Sequence, residues 1–105
     1  MARNASLGDL EQAVMDVLWS TDSGLTVREV LAGLTGRDLA YTTVMTVLGR
    51  LAKKHVVVRQ QHQRAWWYRP ASSKARFLAG EMAQVFAEAG AARSDTLVEL
   101  VRLKA

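Results

Sequence analysis

Tyr41-Thr42-Thr43-Val44-Met45-Thr46-Val47-Leu48-Gly49-Arg50-Leu51-Ala52-Lys53-Lys54 is the stretch that decides the fold. Its apolar residues Val44, Val47, Leu48 and Leu51 recur at i, i+3, i+4 and i+7, one buried stripe of an α-helix. At about 100° per residue the opposite side carries Thr42, Thr46, Gly49, Arg50 and Lys53, flanked by Thr43 and Met45. That face holds no acid. Hydroxyls near its start can bond base edges or phosphates, and the threonine methyl can touch a thymine methyl. The cations near its end, Arg50, Lys53 and Lys54, can neutralise phosphates. This is the profile of a helix that enters a major groove. Periodicity alone selects only an amphipathic helix with a solvated outer face, so the rest of the chain has to decide.

Upstream, Leu7, Leu10, Val14, Val17 and Leu18 mark a first helix from Asp9 to Trp19, with Glu11 three residues after a start at Gly8. Ser20-Thr21-Asp22-Ser23-Gly24 is a turn cluster. Thr26-Val27-Arg28-Glu29 reads as a capping box that starts a second helix at Val27. Its stripe is Val27, Val30, Leu31 and Leu34, and Gly36 is the expected stop. Two short helices joined by a tight glycine-containing turn form a helix-turn-helix.

Downstream, residues 56–60 are β-branched and residues 65–69 are aromatic, with polar Gln61-His62-Gln63-Arg64 between them. A two-stranded hairpin is expected, ended by Pro70; no Asn-Gly or Asp-Gly fixes its turn type. Three helices and a basic hairpin make a winged helix, with Arg64 at the wing tip suited to phosphate or minor-groove contact. Trp66 and Trp67 alternate in direction along a strand, so one is expected in the core and the other free.

A helical period returns from Ser73, with Leu78, Met82, Val85, Phe86 and Ala89 on one stripe ending at Gly90. A fifth helix is expected after an N-cap at Ser94. Its Leu97, Val98, Leu100, Val101 and Leu103 are too many large aliphatics for one face of a surface helix. Burial against a second copy is the preferred reading over folding back on the same domain. The chain thus divides into a winged helix over residues 1–71 and a helical dimerisation region over 72–105, mostly α with a small β-hairpin.

Charge is distributed unevenly. Residues 37–76 hold nine bases against the single acid Asp38, a balance of +8, whereas residues 1–36 and 77–105 carry −3 and −1. Solubility alone calls for interleaved signs; a concentrated block points to a polyanion, nucleic acid before membrane. With no cysteine there is no disulfide, thiolate nucleophile or zinc finger. His55 and His62 have no metal-like spacing, no nucleophile sits in an elbow, and no glycine-rich loop precedes a helix. No enzyme, cofactor or metal is expected. No apolar run is long enough to span a bilayer, and Met1-Ala2-Arg3-Asn4-Ala5-Ser6 leads directly into a patterned helix, so a cytoplasmic protein is expected.

These residues resemble the penicillinase-repressor (BlaI/MecI) family of winged-helix regulators and their copper-responsive CopY relatives. The resemblance covers roughly residues 7–90. It rests on Leu7-Gly8-Asp9-Leu10-Glu11, on Thr26-Val27-Arg28-Glu29-Val30, on the block Tyr41-Thr42-Thr43-Val44-Met45-Thr46, and on Arg64-Ala65-Trp66-Trp67-Tyr68-Arg69-Pro70. It implies a homodimeric repressor on a palindromic double-stranded DNA operator, with Thr43 and Thr46 at the base-reading positions. Basic positions of the family fall on Thr42 and Met45, uncharged here. The copper-responsive cysteine cluster is missing. So is the Asn-Phe cleavage bond, because Asn4 is the only asparagine. Relatives continue beyond this C-terminus, which implies a shortened dimerisation part.

The candidate DNA-contacting residues are therefore Thr26, Arg28, Tyr41, Thr42, Thr43, Met45, Thr46, Arg50, Lys53, Lys54 and Arg64. The candidate dimerisation residues are Leu78, Met82, Val85, Phe86, Leu97, Leu100 and Val101. A protein–protein interaction module and a non-specific nucleic-acid binder are the competing readings.

Overall fold

The computed structural model describes residues 7–104; residues 1–6 and Ala105, which the two expected regions include, lie outside the described residues. Helix α1 spans Asp9–Trp19, α2 Val27–Gly33 and α3 Tyr41–Lys53. Strand β1 is Leu25–Thr26, β2 is Val57–His62 and β3 is Ala65–Pro70. Helix α4 (Lys74–Glu88), a 3-10 turn (Gly90–Ala92) and α5 (Arg93–Lys104) complete the chain.

The three stripes meet as expected. Val14, Met15 and Leu18 of α1, Val27 and Val30 of α2, and Val44, Leu48 and Leu51 of α3 are buried in one core, which Val56, Val57 and Tyr68 close from the sheet side. The starts of α1 and α2 have a local cause. The Thr26 hydroxyl accepts from the Glu29 N–H at 3.2 Å while the Glu29 carboxylate accepts from the Thr26 N–H at 2.9 Å, a reciprocal cap. At α1 the Glu11 carboxylate accepts from the Gly8 N–H at 3.0 Å. Helix α2 stops at Gly33, three residues before the expected Gly36, with the Leu34 N–H bonded to the Leu31 carbonyl at 3.1 Å. Gly36, at φ +77, instead supplies the left-handed residue of the turn into α3.

The sheet differs from the expected hairpin in three ways. It has three antiparallel strands in the order β1-β3-β2, because Leu25 and Thr26 pair with Tyr68 and Trp67. A two-residue strand has no periodicity to read. The β2–β3 turn is only Gln63-Arg64, between the paired residues His62 and Ala65, with φ +50 and +69. Two consecutive left-handed residues in a two-residue loop are the signature of a type I′ turn, here without the usual Asn-Gly. Lastly, neither tryptophan is a core residue. Tyr68 takes the core position, Trp66 is exposed, and Trp67 is half-buried on the opposite face beside Gly24.

The arm formed by α4 and α5 is joined to α1 at one corner. The Trp19 indole N–H donates to the Ser72 carbonyl at 2.9 Å, the Trp19 and Phe77 rings lie 5.6 Å apart, and Lys74 pairs with Asp16 at 3.1 Å. Beyond Phe77 neither helix contains a buried residue. Ser94, expected as the cap of α5, lies within the helix, since the 3-10 turn leads into α5 at Arg93. Among the described residues no helix is long and apolar enough to cross a membrane.

Candidate nucleic-acid interface

Burying Val44, Val47, Leu48 and Leu51 obliges α3 to present its other side to solvent. Tyr41, Thr42, Thr43, Met45, Thr46, Arg50 and Lys53 are all exposed there. The Thr46 hydroxyl donates to the Thr42 carbonyl at 2.9 Å, which restrains its rotamer and leaves its oxygen lone pairs able to accept. At the start of the face the Arg28 guanidinium lies 5.9 Å from the Tyr41 ring centroid, so α2 contributes a cation beside the first turn of α3. The Thr26 hydroxyl is engaged in the α2 cap.

The wing extends the same surface. A groove of about 540 Å³ runs between α3 and β2, lined by Thr46, Gly49, Arg50, Ala52, Lys53, Val57 and Arg59. Three of these residues are cationic and none is acidic, so the groove attracts a linear polyanion. Arg59 was not among the residues expected from sequence. Its guanidinium stacks 4.6 Å from the centroid of Trp66, which holds it over the wing. The pairing of Arg59 with Tyr68 places it diagonally from Trp66 on the same sheet face, a relation that depends on the hairpin register. Arg64 is exposed at the wing tip.

Lys54 stands apart from the other candidates. Its ammonium donates to both carboxylate oxygens of Glu11 at 3.0 Å, on the α1 side of the α3 C-terminus. Burial pushes the Glu11 carboxyl up. The Gly8 N–H, the Lys54 hydrogen bond and the charges of Lys54 and Arg50 outweigh that and hold it below its ordinary value. Two cations near the end of α3 also suit its dipole, so a carboxylate on α1 can hold Lys54 without stripping the outer face of charge.

At the far end, Met82, Val85, Phe86, Leu97 and Leu100 line one apolar groove between α4 and α5, with Glu81 and Thr96 at its edges. Leu78 and Val101 lie outside that groove but are exposed, as are Val98 and Leu103.

Comparison with known proteins follows this geometry. Residues 7–104 match the penicillinase repressor family. The chain belongs to that family. The transcriptional regulator BlaI of Mycobacterium tuberculosis (strain H37Rv) is 48% identical over 104 residues, which is 96% of this chain and 75% of the relative. The solution structure of the DNA-binding domain of the repressor BlaI superposes with a TM-score of 0.59 at 28% identity, covering 71% of this chain and 92% of that one. The monomeric form of Bacillus licheniformis BlaI in complex with the blaP half-operator gives 0.56 at 28% identity, with the same coverage. As a penicillinase repressor family member the chain is a winged-helix transcriptional repressor and not an enzyme.

Proposed function

We propose that the chain represses transcription in the cytoplasm by binding a palindromic double-stranded operator as a homodimer. Helix α3 enters the major groove of each half-site, Thr43 and Thr46 read base edges, and the wing lies on the sugar–phosphate backbone. The observation that carries this reading is the continuity of the surface. The acid-free face of α3 runs without interruption into the Arg50, Lys53 and Arg59 groove. A BlaI relative solved in complex with a half-operator supports operator binding. Residues 1–71 would act as the DNA-binding unit and 72–105 as the dimerisation region.

The apolar groove of α4–α5 and the exposed aliphatics beside it support the dimer. Val101 and Met82 are 68% and 62% exposed, and such a cluster left open would favour aggregation. Paired across a two-fold axis it becomes an isologous interface that holds two recognition helices about one helical turn, or a multiple of it, apart. Titration of palindromic and random duplexes over a range of salt tests the whole reading. Affinity should fall steeply with salt on both, and the cognate palindrome should stay tighter throughout. Salt-independent or absent binding would instead identify a protein-interaction module, and equal affinity for all sequences a non-specific binder.

A further inference from the structure

Gly49 occupies the middle of the exposed face of α3, on the row Thr42, Thr46, Gly49, Lys53. Among helix-interior residues only proline is worse than glycine, because glycine loses the most backbone freedom on folding. A glycine that persists there usually makes room for a neighbour or adopts a left-handed backbone. Gly49 does neither. Its φ is not positive, and a Cβ built on it meets no atom within 4 Å. Gly33 of α2 shows the contrast: a Cβ there would lie 2.8 Å from the Val17 side chain, so its absence permits close packing of α1 and α2. Among the described residues nothing occupies the space that Gly49 leaves.

The surroundings identify what fits that space. Gly49 lies on the floor of the α3–β2 groove, with Arg50 and Lys53 on the helix side and Arg59 on the wing side. The ligand must therefore be anionic and elongated, and must approach the helix backbone closely. The hydroxyl side chains suited to base edges sit nearer the N-terminus of α3, at Thr42, Thr43 and Thr46. Gly49, about one turn further on, has no side chain with which to read a base.

We propose that one strand of duplex DNA crosses α3 at Gly49, its sugar–phosphate backbone in van der Waals contact with the helix. The strand then lies between the Arg50 and Lys53 cations and the Arg59 guanidinium. Gly49 sets the depth to which the helix enters the major groove, and through it the distance at which the threonines meet the bases. This inference rests on the operator-binding reading and adds to it the place of closest approach.

Replacing Gly49 by Ala, whose Cβ meets no neighbour in the free protein, and by the longer Leu tests it. Gly49→Ala should raise the melting temperature. It should also weaken random duplex by about tenfold, the worth of one charge-assisted hydrogen bond lost as the phosphates are pushed back, and the cognate site by at least that factor. Gly49→Leu should weaken both further, whereas an effect of helix stiffness would already be complete at alanine. Unchanged affinity in both variants would overturn the inference while leaving wild-type operator binding intact. A loss confined to the cognate site would place a base, not the backbone, over Gly49 and overturn it as well. Wild-type protein that binds no duplex would be the separate failure of the operator reading.

Discussion

The Lys54 ammonium lies 3.0 Å from both carboxylate oxygens of Glu11, tying the end of the recognition helix to the first turn of α1 across 43 residues of sequence. The Glu11 side chain is only 14% exposed, so this pair is shielded better than the Arg37–Asp9, Lys74–Asp16 and Arg102–Glu99 pairs. It joins the end of α3 to α1, and it withdraws one cation from the surface available to a polyanion.

The pair gives stability a specific pH dependence. The folded Glu11 carboxyl lies below its ordinary value, so the unfolded state binds the proton more readily. Its contribution is fully present above the unfolded value and is lost as pH falls through the lower folded one. Glu11→Gln should therefore reduce stability near neutral pH and flatten the decline on acidification. Urea midpoints measured between pH 7 and pH 3 would show it, and parallel curves for the two proteins would refute it.

The same geometry separates two adjacent lysines. Lys53→Ala should lower the slope of log affinity against log salt by about one unit, the signature of a lost phosphate contact. Lys54→Ala should lower the melting temperature and leave the slope nearly unchanged. The opposite pattern would mean that Lys54 leaves Glu11 when DNA arrives.

At the wing tip, stability and binding should move in opposite directions. Arg64 holds φ +69, a conformation that costs a non-glycine residue about 1–2 kcal/mol. Arg64→Gly should relieve part of that strain and raise the denaturation midpoint, while weakening every duplex and reducing the salt slope. A variant gaining stability without losing affinity would remove Arg64 from the interface.

Thr43→Ala and Thr46→Ala address reading instead of holding. Each should cost about 1–3 kcal/mol on the cognate operator and much less on random duplex. Comparable losses on both would assign these hydroxyls to phosphates. Competition anisotropy with the two duplexes measures the difference directly.

The arm can be tested by charge. Leu97→Asp combined with Val101→Asp should give a folded monomer with little operator affinity, seen by sedimentation and circular dichroism. A double variant that still sediments as a dimer would move the interface elsewhere, to α1 first.

Much of this architecture is legible in the sequence because it is written in local signals. The bounds of α1 follow from its stripe and Glu11, the start of α2 from the Thr26–Glu29 cap, and α3 from Val44, Val47, Leu48 and Leu51. What escaped depends on partners far along the chain or on rules broken for local reasons. Leu25 and Thr26 become a strand only because β3 arrives beside them. The Gln63-Arg64 turn lacks the residues that announce its type, so the Arg59–Trp66 stack, which needs the register, could not be found. Lys54 reads as one more cation until Glu11 is seen beneath it. Ser94 carries a capping side chain, yet the helix has already begun at Arg93.

The corner where Trp19 meets Ser72 and Phe77 is where the α4–α5 arm joins α1. Helix α4 has 15 residues, a lever of about 22 Å. A tilt of about 10° at the corner would swing its far end by about 4 Å, close to the 3.4 Å rise of one base-pair step. In the proposed dimer two such levers would act in series, so a tilt of that size at each corner would change the half-site spacing that can be spanned by one or two base pairs. In the proposed dimer the Trp19 corner would thus set the half-site spacing that the two copies span.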